Sequence, residues 1–337
     1  MSAPRRILVL LAAAAMLLAA DNHQAAATLI EVNRIWDRAA HNAFTDLVRF
    51  HERWYCAFRE GSAHVSPDGA LRILSSADGA RWVPTALLTL ATGDLRDPKL
   101  CVTPDQRLML TSAAAMQPGS KARHHSFAWH SSDGREWSDA VAIGDPDVWL
   151  WRVSWHRGKA YSMGYSTSPG DQFLRIYMST DPTGFQTLGA RIHDRGYPNE
   201  TAILFQGADD SALCLLRRDG AEKTAQLGRS RPPYRAWSWE DLGVRIGGPQ
   251  MIRLPDGRIV AAVRLYDGAP RTSLCWLDPA APALKEFLRL PSGGDTSYAG
   301  LVYHEELLWV SYYSSHEGKS GIYLAKVRLP PAPPVRR

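Results

Sequence analysis

Ser76–Trp82 reads SADGARW, and Ser131–Trp137, which begins 55 residues later, reads SSDGREW. Both follow the pattern S-x-D-G-x-x-W. Looser versions occur at Ser179–Phe185 and, without the aspartate, at Ser230–Trp237. In such a turn the aspartate can accept hydrogen bonds from nearby backbone N–H groups, while the tryptophan packs between strands. The recurrence predicts a chain built from structural repeats of roughly 50 residues.

The segments around these turns favour β-structure throughout. Short apolar or alternating runs are separated by Gly, Pro and Asp turns, and almost no stretch has helical periodicity. Counting seven residues from successive hairpin turns reaches one equivalent position in each repeat: Arg59, Ala113, Tyr165, Arg217, Arg264 and Tyr313. We therefore expect an all-β fold, a six-bladed β-propeller of four-stranded antiparallel blades.

The predicted domain runs over residues 28–329, with Thr28–Asp37 as a spare strand that closes the ring. The blades are expected at 41–92, 93–143, 144–192, 193–243, 244–291 and 292–329. Residues 330–337 form a Pro-rich tail with no core-forming pattern.

The N-terminus predicts export. Arg5 and Arg6 precede an apolar stretch, Ile7–Ala20, which is too short to span a bilayer and is typical of a cleaved signal peptide. We expect residues 1–20 to be removed and the protein to be secreted or periplasmic, without a membrane span. Ala25 and Ala27 offer a second cleavage site, and the export route stays open.

Composition excludes several classes of function. The net charge of +5 is small and scattered, so nucleic acid is not an expected partner. No motif indicates a nucleotide, redox cofactor or metal site. The four cysteines, each inside an apolar run, are expected to be free thiols, with one disulfide as the alternative. The oligomeric state cannot be read from these patterns.

Propeller topology brings distant residues to one face. The ends of second strands, the starts of first strands and the second-to-third connections all lie opposite the S-x-D-G-x-x-W turns. The residues expected there are Arg59, Arg217, Arg264, Glu200, Tyr298, His64, Asp68, Asp97, Trp149 and Trp151. Three arginines at one repeat position near the ring axis would repel one another, so an anion should bind among them, and a carboxylate suits the guanidinium fork.

This arrangement resembles the sialidase (neuraminidase) superfamily over residues 28–329, and the turns resemble its Asp-boxes in a version one residue shorter. The resemblance implies that Arg59, Arg217 and Arg264 bind a substrate carboxylate. It also implies that Tyr298 is a nucleophile activated by Glu200, and that the protein is a retaining exo-glycosidase acting on a glycan with a terminal carboxylated sugar. A neutral phenol suits that substrate because an anionic nucleophile would be repelled by the carboxylate.

Two features depart from the sialidase pattern. Arg59 is followed by Glu-Gly instead of Ile-Pro, and the loop expected to hold the acid/base aspartate is short, EGSAHVSPDG. The resemblance favours Asp68 as the proton donor, because sialidases use a carboxylic acid from this loop; His64 is the alternative, and Asp97 is next in order. Asp97, Trp149 and Trp151 are also predicted to line the substrate site.

Two other functions remain open. A uronate-directed polysaccharide lyase on a similar propeller would use His64 and Tyr298 to move protons. A non-catalytic carbohydrate-binding propeller is the third reading. The sugar and its linkage are not readable from the sequence.

Overall fold

The computed structural model describes residues 26–181, 183–207 and 209–332. The predicted signal peptide and the end of the Pro-rich tail lie outside these ranges. The described residues fold into six four-stranded antiparallel sheets without a helix. Consequently no described helix is long and apolar enough to cross a membrane.

The first three sheets follow the chain in order. Blade one contains β2 (His41–Phe50), β3 (Arg53–Gly61), β4 (Ala70–Ser76) and β5 (Val83–Leu88). Blade two contains β6 (Gly93–Val102), β7 (Leu108–Met116), β8 (His124–Ser131) and β9 (Val141–Ile143). Blade three contains β10 (Val148–His156), β11 (Lys159–Ser166), β12 (Leu174–Ser179) and β13 (Gln186–His193).

The next two sheets repeat the same order, and the sixth combines both ends of the domain. Blade four contains β14 (Pro198–Phe205), β15 (Ala212–Arg218), β16 (Gln226–Ser230) and β17 (Ser238–Asp241). Blade five contains β18 (Ile246–Arg253), β19 (Ile259–Leu265), β20 (Arg271–Asp278) and β21 (Ala283–Arg289). Blade six contains β22 (Thr296–His304), β23 (Leu307–Ser314), β24 (Gly321–Arg328) and the N-terminal strand β1 (Thr28–Trp36), which pairs with β24.

The first strand of each blade lies nearest the ring axis. These strands are largely buried, whereas the fourth strands β5 and β13 are mostly exposed or half-buried. First strands of neighbouring blades contact one another, and the apolar side chains pack between adjacent sheets. This is the radial arrangement of a six-bladed propeller, as the sequence predicts.

The S-x-D-G-x-x-W turns join third to fourth strands and contact the preceding blade. Asp133 Oδ1 accepts backbone hydrogen bonds from Arg135 (2.8 Å) and Glu136 (3.0 Å). Gly134 has φ +74°, and a Cβ there would lie 2.1 Å from the Tyr55 ring of blade one. The turn therefore requires glycine both for its backbone conformation and for this close approach.

All four cysteines are free, as expected; three are buried and Cys101 is half-buried.

The first strand of each blade contains one irregularity. In every blade two residues of the first strand face one residue of the second, which is the pattern of a β-bulge. The two bulge residues of each first strand are, in blade order, Phe44–Thr45, Asp97–Pro98, Trp151–Arg152, Asn199–Glu200, Gly248–Pro249 and Tyr298–Ala299.

Candidate active site

The bulges bring Tyr298 and Glu200 together at the ring axis. Tyr298 donates a hydrogen bond from Oη to Glu200 Oε1 at 2.5 Å, although the two residues are 98 positions apart. Arg217 Nη1 donates to the same Glu200 oxygen at 2.7 Å and to Tyr298 Oη at 3.0 Å. Tyr298, Glu200 and Arg217, which are among the residues predicted at this face, thus form one hydrogen-bonded cluster.

The charges in this cluster keep Glu200 ionised. Burial raises the pKa of Glu200, but the positive charge of Arg217 and hydrogen bonds from Tyr298, Arg217 and Gly248 outweigh it and leave the pKa below its usual value. Burial, reinforced by the charge of Glu200, raises the pKa of Tyr298 well above its usual value. The resting pair is therefore a neutral phenol beside a carboxylate that can accept its proton.

Gly248 holds the second oxygen of this carboxylate. Its backbone N–H donates to Glu200 Oε2 at 2.7 Å. The residue has φ +56°, and a Cβ at this position would lie 2.8 Å from Tyr298 Cδ2. Only glycine lets the blade-five backbone approach both catalytic candidates this closely.

Arg264 belongs to a second cluster on the other side of Tyr298. Its Nη2 lies 3.1 Å from Asp295 Oδ1 and donates to Tyr313 Oη at 2.9 Å, while its Nε donates to the Thr296 carbonyl at 2.6 Å. Tyr313 in turn donates to Asp295 Oδ1 at 2.6 Å. The Arg264 guanidinium lies 5.4 Å from the Tyr298 ring centroid.

Two histidines lie close to Asp295 Oδ2, the carboxylate oxygen that does not contact Arg264 or Tyr313. His64 Nδ1 lies 2.7 Å from Oδ2 and His41 Nε2 lies 3.4 Å from the same atom. Within the ranges that the structure covers, this is the one trio whose donor atoms could together hold a metal ion. The short His64–Asp295 contact is equally that of a histidine oriented by a carboxylate, so the trio can serve proton transfer without an ion.

Arg59 does not reach the site, which corrects the expectation that it binds substrate. Its side chain is fully buried and pairs with Asp94 at 2.8 Å. The guanidinium also donates to the Ala63 carbonyl at 2.8 Å and to Ser66 Oγ at 2.9 Å. The short loop 62–68 folds over the guanidinium, so Arg59 anchors this loop and with it His64.

The sequence predicts one equivalent repeat position for the three arginines, but the strand register separates Arg217 from Arg59 and Arg264. Arg59 pairs with Ala43 and Arg264 with Gly247, each immediately before a bulge. Arg217 instead lies opposite the bulge of blade four, because Arg218 occupies the paired position across from Pro198. Arg218 points away from the axis and binds Thr224 and Asp241.

Asp97 occupies the bulge position in blade two that Tyr298 occupies in blade six. Both have left-handed backbones, with φ values of 53° and 52°. Burial, with a contribution from the charge of Glu200, raises the pKa of Asp97 to about 6 although Lys99 opposes the shift. Its Oδ1 is buried without a hydrogen-bond partner among the described residues. Non-glycine residues held in this strained conformation often mark functional sites.

Lys99 is buried next to the rings of Trp151 and Tyr298. It is 3% exposed, and burial followed by the charge of Arg152 lowers its pKa to about 8. Its Nζ lies 4.9 Å from the centroid of the Trp151 ring and 5.8 Å from that of Tyr298. The buried ammonium is therefore held against two aromatic rings by cation–π attraction.

Asp68 lies in the exposed blade-one loop. Both of its carboxylate oxygens accept hydrogen bonds from the Ser62 backbone N–H at 3.1 Å. Hydrogen bonds from Ser66 and Ser62 lower the pKa of Asp68 to about 2. The group is thus ionised at neutral pH, which is unfavourable for a proton donor.

Trp149 and Trp151 are close to the site but almost completely buried, at 5% and 2% exposure. Trp151 packs edge-on against Tyr298 with a centroid distance of 5.8 Å, and Trp149 stacks on Tyr165 at 6.1 Å. Trp151 thus supports the Tyr298 ring, and both tryptophans are too deeply buried to offer an open face to a sugar.

Sequence reasoning missed several members of the site: Asp295, His41, Phe44, Lys99, Tyr266 and Tyr313. Tyr313 could have been found, because the repeat count places it at the position of Arg264. Asp295 precedes Tyr298 by three residues in a Gly-rich loop, where an aspartate ordinarily indicates a turn. Only its contacts with Arg264, Tyr313 and the histidines of blade one distinguish it.

Comparison with known proteins identifies the fold. No protein-family model matches the chain, and no curated protein matches its sequence. A protein of unknown function from Dyadobacter fermentans superposes with a TM-score of 0.79 at 18% identity, covering 90% of this chain and 100% of that chain. An alpha-L-arabinanase from Penicillium chrysogenum, complexed with arabinobiose, gives a TM-score of 0.70 at 12% identity, covering 88% and 98%.

The sialidase of Trypanosoma rangeli, in complex with the inhibitor DANA, superposes with a TM-score of 0.68 at 11% identity. The match covers 86% of this chain and 55% of the sialidase, so this chain spans little more than half of that protein. At such identities the likeness establishes a shared six-bladed propeller. It does not single out sialidases, because the arabinanase superposes equally well.

Proposed function

We propose that this protein is a retaining exo-glycoside hydrolase that releases a terminal carboxylated sugar from a glycan. The observation that carries the proposal is the 2.5 Å hydrogen bond from Tyr298 to Glu200, with Arg217 bonded to both groups. A nucleophile beside its own general base is the arrangement expected for covalent catalysis. The arabinanase and sialidase neighbours support a carbohydrate substrate.

In the first step, Tyr298 Oη forms a bond to the anomeric carbon while the glycosidic C–O bond breaks. Glu200 takes the phenol proton, and the leaving oxygen keeps the bonding electron pair and receives a proton from the enzyme's acid. In the second step, water attacks the anomeric carbon and the Tyr298–sugar bond breaks. Glu200 then returns its proton to the tyrosine, and the acid, now a base, takes one from water.

Asp97 is the proton donor in this proposal. Its pKa, raised to about 6, keeps Asp97 largely protonated below pH 6, where Asp68, with a pKa of about 2, is ionised. The buried Oδ1 of Asp97 has no hydrogen-bond partner among the described residues, so a substrate bound beside it would supply one. The negative charge of Glu200 contributes to the raised pKa of Asp97, as expected if the two carboxyl groups serve one site.

The lyase is the second candidate, and the His64–Asp295 contact favours it. His64 Nδ1 bonds to Asp295, and the half-exposed ring can present its other nitrogen to a substrate. In that reaction a base removes the proton beside the sugar carboxylate, the leaving oxygen departs with its bonding pair, and a C=C bond forms in the product.

One experiment distinguishes these functions. The purified protein is assayed on an aryl sialoside and on uronate-containing glycans, with ultraviolet absorbance followed for an unsaturated product. Release of the aryl group without ultraviolet absorbance from the glycans supports the hydrolase. Absorbance that disappears in His64→Asn supports the lyase, and binding without turnover of either substrate would support a binding module.

Localisation completes the proposal. The signal peptide predicted at residues 1–20 would export the protein, so that it meets its glycan outside the cytoplasm. Detection of the mature N-terminus in the periplasm or medium would test this part independently of activity.

A further inference from the structure

The two arginines at the site have few free donors for a substrate anion. Arg217 Nε and Nη2 face the two oxygens of Asp219 at 3.1 and 3.0 Å, and its Nη1 is bonded to Glu200 and Tyr298. Arg264 uses Nε and Nη2 for Thr296, Asp295 and Tyr313. A guanidinium carries five N–H donors, so each residue retains little capacity for a bidentate grip.

Arg245, unlike Arg217 and Arg264, has an N–H donor without a partner among the described residues. It precedes β18 and lies across the β18–β19 hairpin from Tyr266, since Ile246 pairs with Leu265. Its guanidinium carbon lies 4.0 Å from the Tyr266 ring centroid. Its Nε is buried without a hydrogen-bond partner among the described residues.

Tyr266 connects Arg245 with the catalytic cluster. Its Oη lies 3.5 Å from Arg264 Nη1, the least engaged nitrogen of that residue. Tyr266 also contributes to the electrostatic environment of both Arg217 and Arg264. Arg264 and Arg245 therefore both lie against Tyr266, and the guanidinium of Arg245, which is the less engaged of the two, lies over its ring.

We propose that Arg245 and Tyr266 form the substrate's anion-binding subsite together with Arg264, so that Arg245 supplies the cation that Arg59 does not. This rests on the proposed function in that the anion is the carboxylate of the sugar. The planar guanidinium that lies over the Tyr266 ring can donate two parallel hydrogen bonds to a carboxylate.

The test compares binding of N-acetylneuraminic acid and D-glucuronic acid with binding of their methyl esters, by calorimetry. Arg245→Gln should weaken binding of the acids roughly tenfold to a hundredfold and leave the esters unchanged, because only charge-assisted hydrogen bonds are lost. Arg245→Lys should fall between the two. Arg253→Gln, at the far end of the same strand, is the control and should bind like the wild type.

Turnover of the aryl sialoside, measured in parallel, separates this inference from the proposed function. Selective loss of acid binding in Arg245→Gln supports the subsite whether or not the protein turns over the sialoside. An unchanged preference for acid over ester in Arg245→Gln overturns the subsite even if turnover is observed. Equal binding of acids and esters by the wild type also overturns it.

Discussion

The Tyr298 hydroxyl and the Glu200 carboxylate lie 2.5 Å apart because each belongs to a β-bulge in its own blade. Tyr298 is the first of the two bulge residues in blade six, and Glu200 is the second of the two bulge residues in blade four. A bulge twists its strand and re-aims the inserted side chains, here toward the ring axis. The pairing of nucleophile and base therefore depends on backbone irregularities as much as on residue identity.

Tyr298→Phe should lower kcat by at least about a thousandfold, since removal of a nucleophile from a cooperating set has an effect of this order or larger. The thermal unfolding temperature should change little, because the ring still packs against Trp151 and Phe44. The matched control is Tyr303→Phe, at the other end of β22. Near wild-type turnover by folded Tyr298→Phe would remove the tyrosine from the mechanism.

Arg217→Lys should lose about 1.5–3 kcal/mol of transition-state stabilisation, so that kcat/KM falls roughly tenfold to a hundredfold. The reason is that an ammonium cannot bond to Glu200, Tyr298 and Asp219 together. Arg218→Lys should instead reduce stability, since Arg218 is 2% exposed and binds Thr224 and Asp241. Steady-state kinetics and thermal unfolding of both variants test this. A larger kinetic defect in Arg218→Lys would contradict the assigned roles.

Asp97→Asn should slow substrates with poor leaving groups far more than an activated aryl glycoside, since general-acid assistance contributes typically 10²–10⁴-fold. The wild-type kcat/KM should fall as the pH rises through about 6, where Asp97 loses its proton. Asp68→Asn is the control and should keep this pH profile. Equal effects of Asp97→Asn on both substrate types would assign the donor elsewhere.

Asp97 should also reduce stability at neutral pH. Its pKa is raised in the folded protein, so its favourable contribution is fully present below the unfolded pKa of about 4 and is lost as the pH rises through about 6. Asp97→Asn should therefore stabilise the protein at pH 7, by as much as roughly 2–3 kcal/mol at 1.36 kcal/mol per pKa unit, and have little effect at pH 4. Denaturant titrations at both pH values measure this, and equal effects at the two pH values would show that the Asp97 carboxyl is not perturbed.

Arg59→Gln should destabilise the fold by about 3 kcal/mol, because removing one partner of a buried ion pair leaves the other without its counter-charge. Arg59→Gln should change the binding of acid and ester ligands alike, whereas Arg245→Gln should weaken only the binding of acids. Combining Arg59→Gln with Asp94→Asn should recover part of the stability, and a double-mutant cycle measures the coupling. Strictly additive effects would show that the pair is not coupled.

Much of the site could be predicted from position within the repeat. Glu200, Tyr298 and Arg264 were expected at one face, and the structure brings them together there. Arg59 was expected by the same count but is covered by the loop 62–68, whose contacts with it are made by Ala63 and Ser66. Repeat position locates the Cα of a residue, but the direction of a long side chain depends on which acceptors surround it.

The sequence by itself determined the six-bladed all-β architecture and its blade boundaries, because turns and strand alternation depend on residues close together in the chain. Only the tertiary structure decided the bulges, the convergence of His41 and His64 on Asp295, the raised pKa of Asp97 and the stacking of Arg245 on Tyr266. Most of these features arise from burial or from contacts between blades. Burial and long-range contacts are set by packing, and packing exists only once the ring has closed.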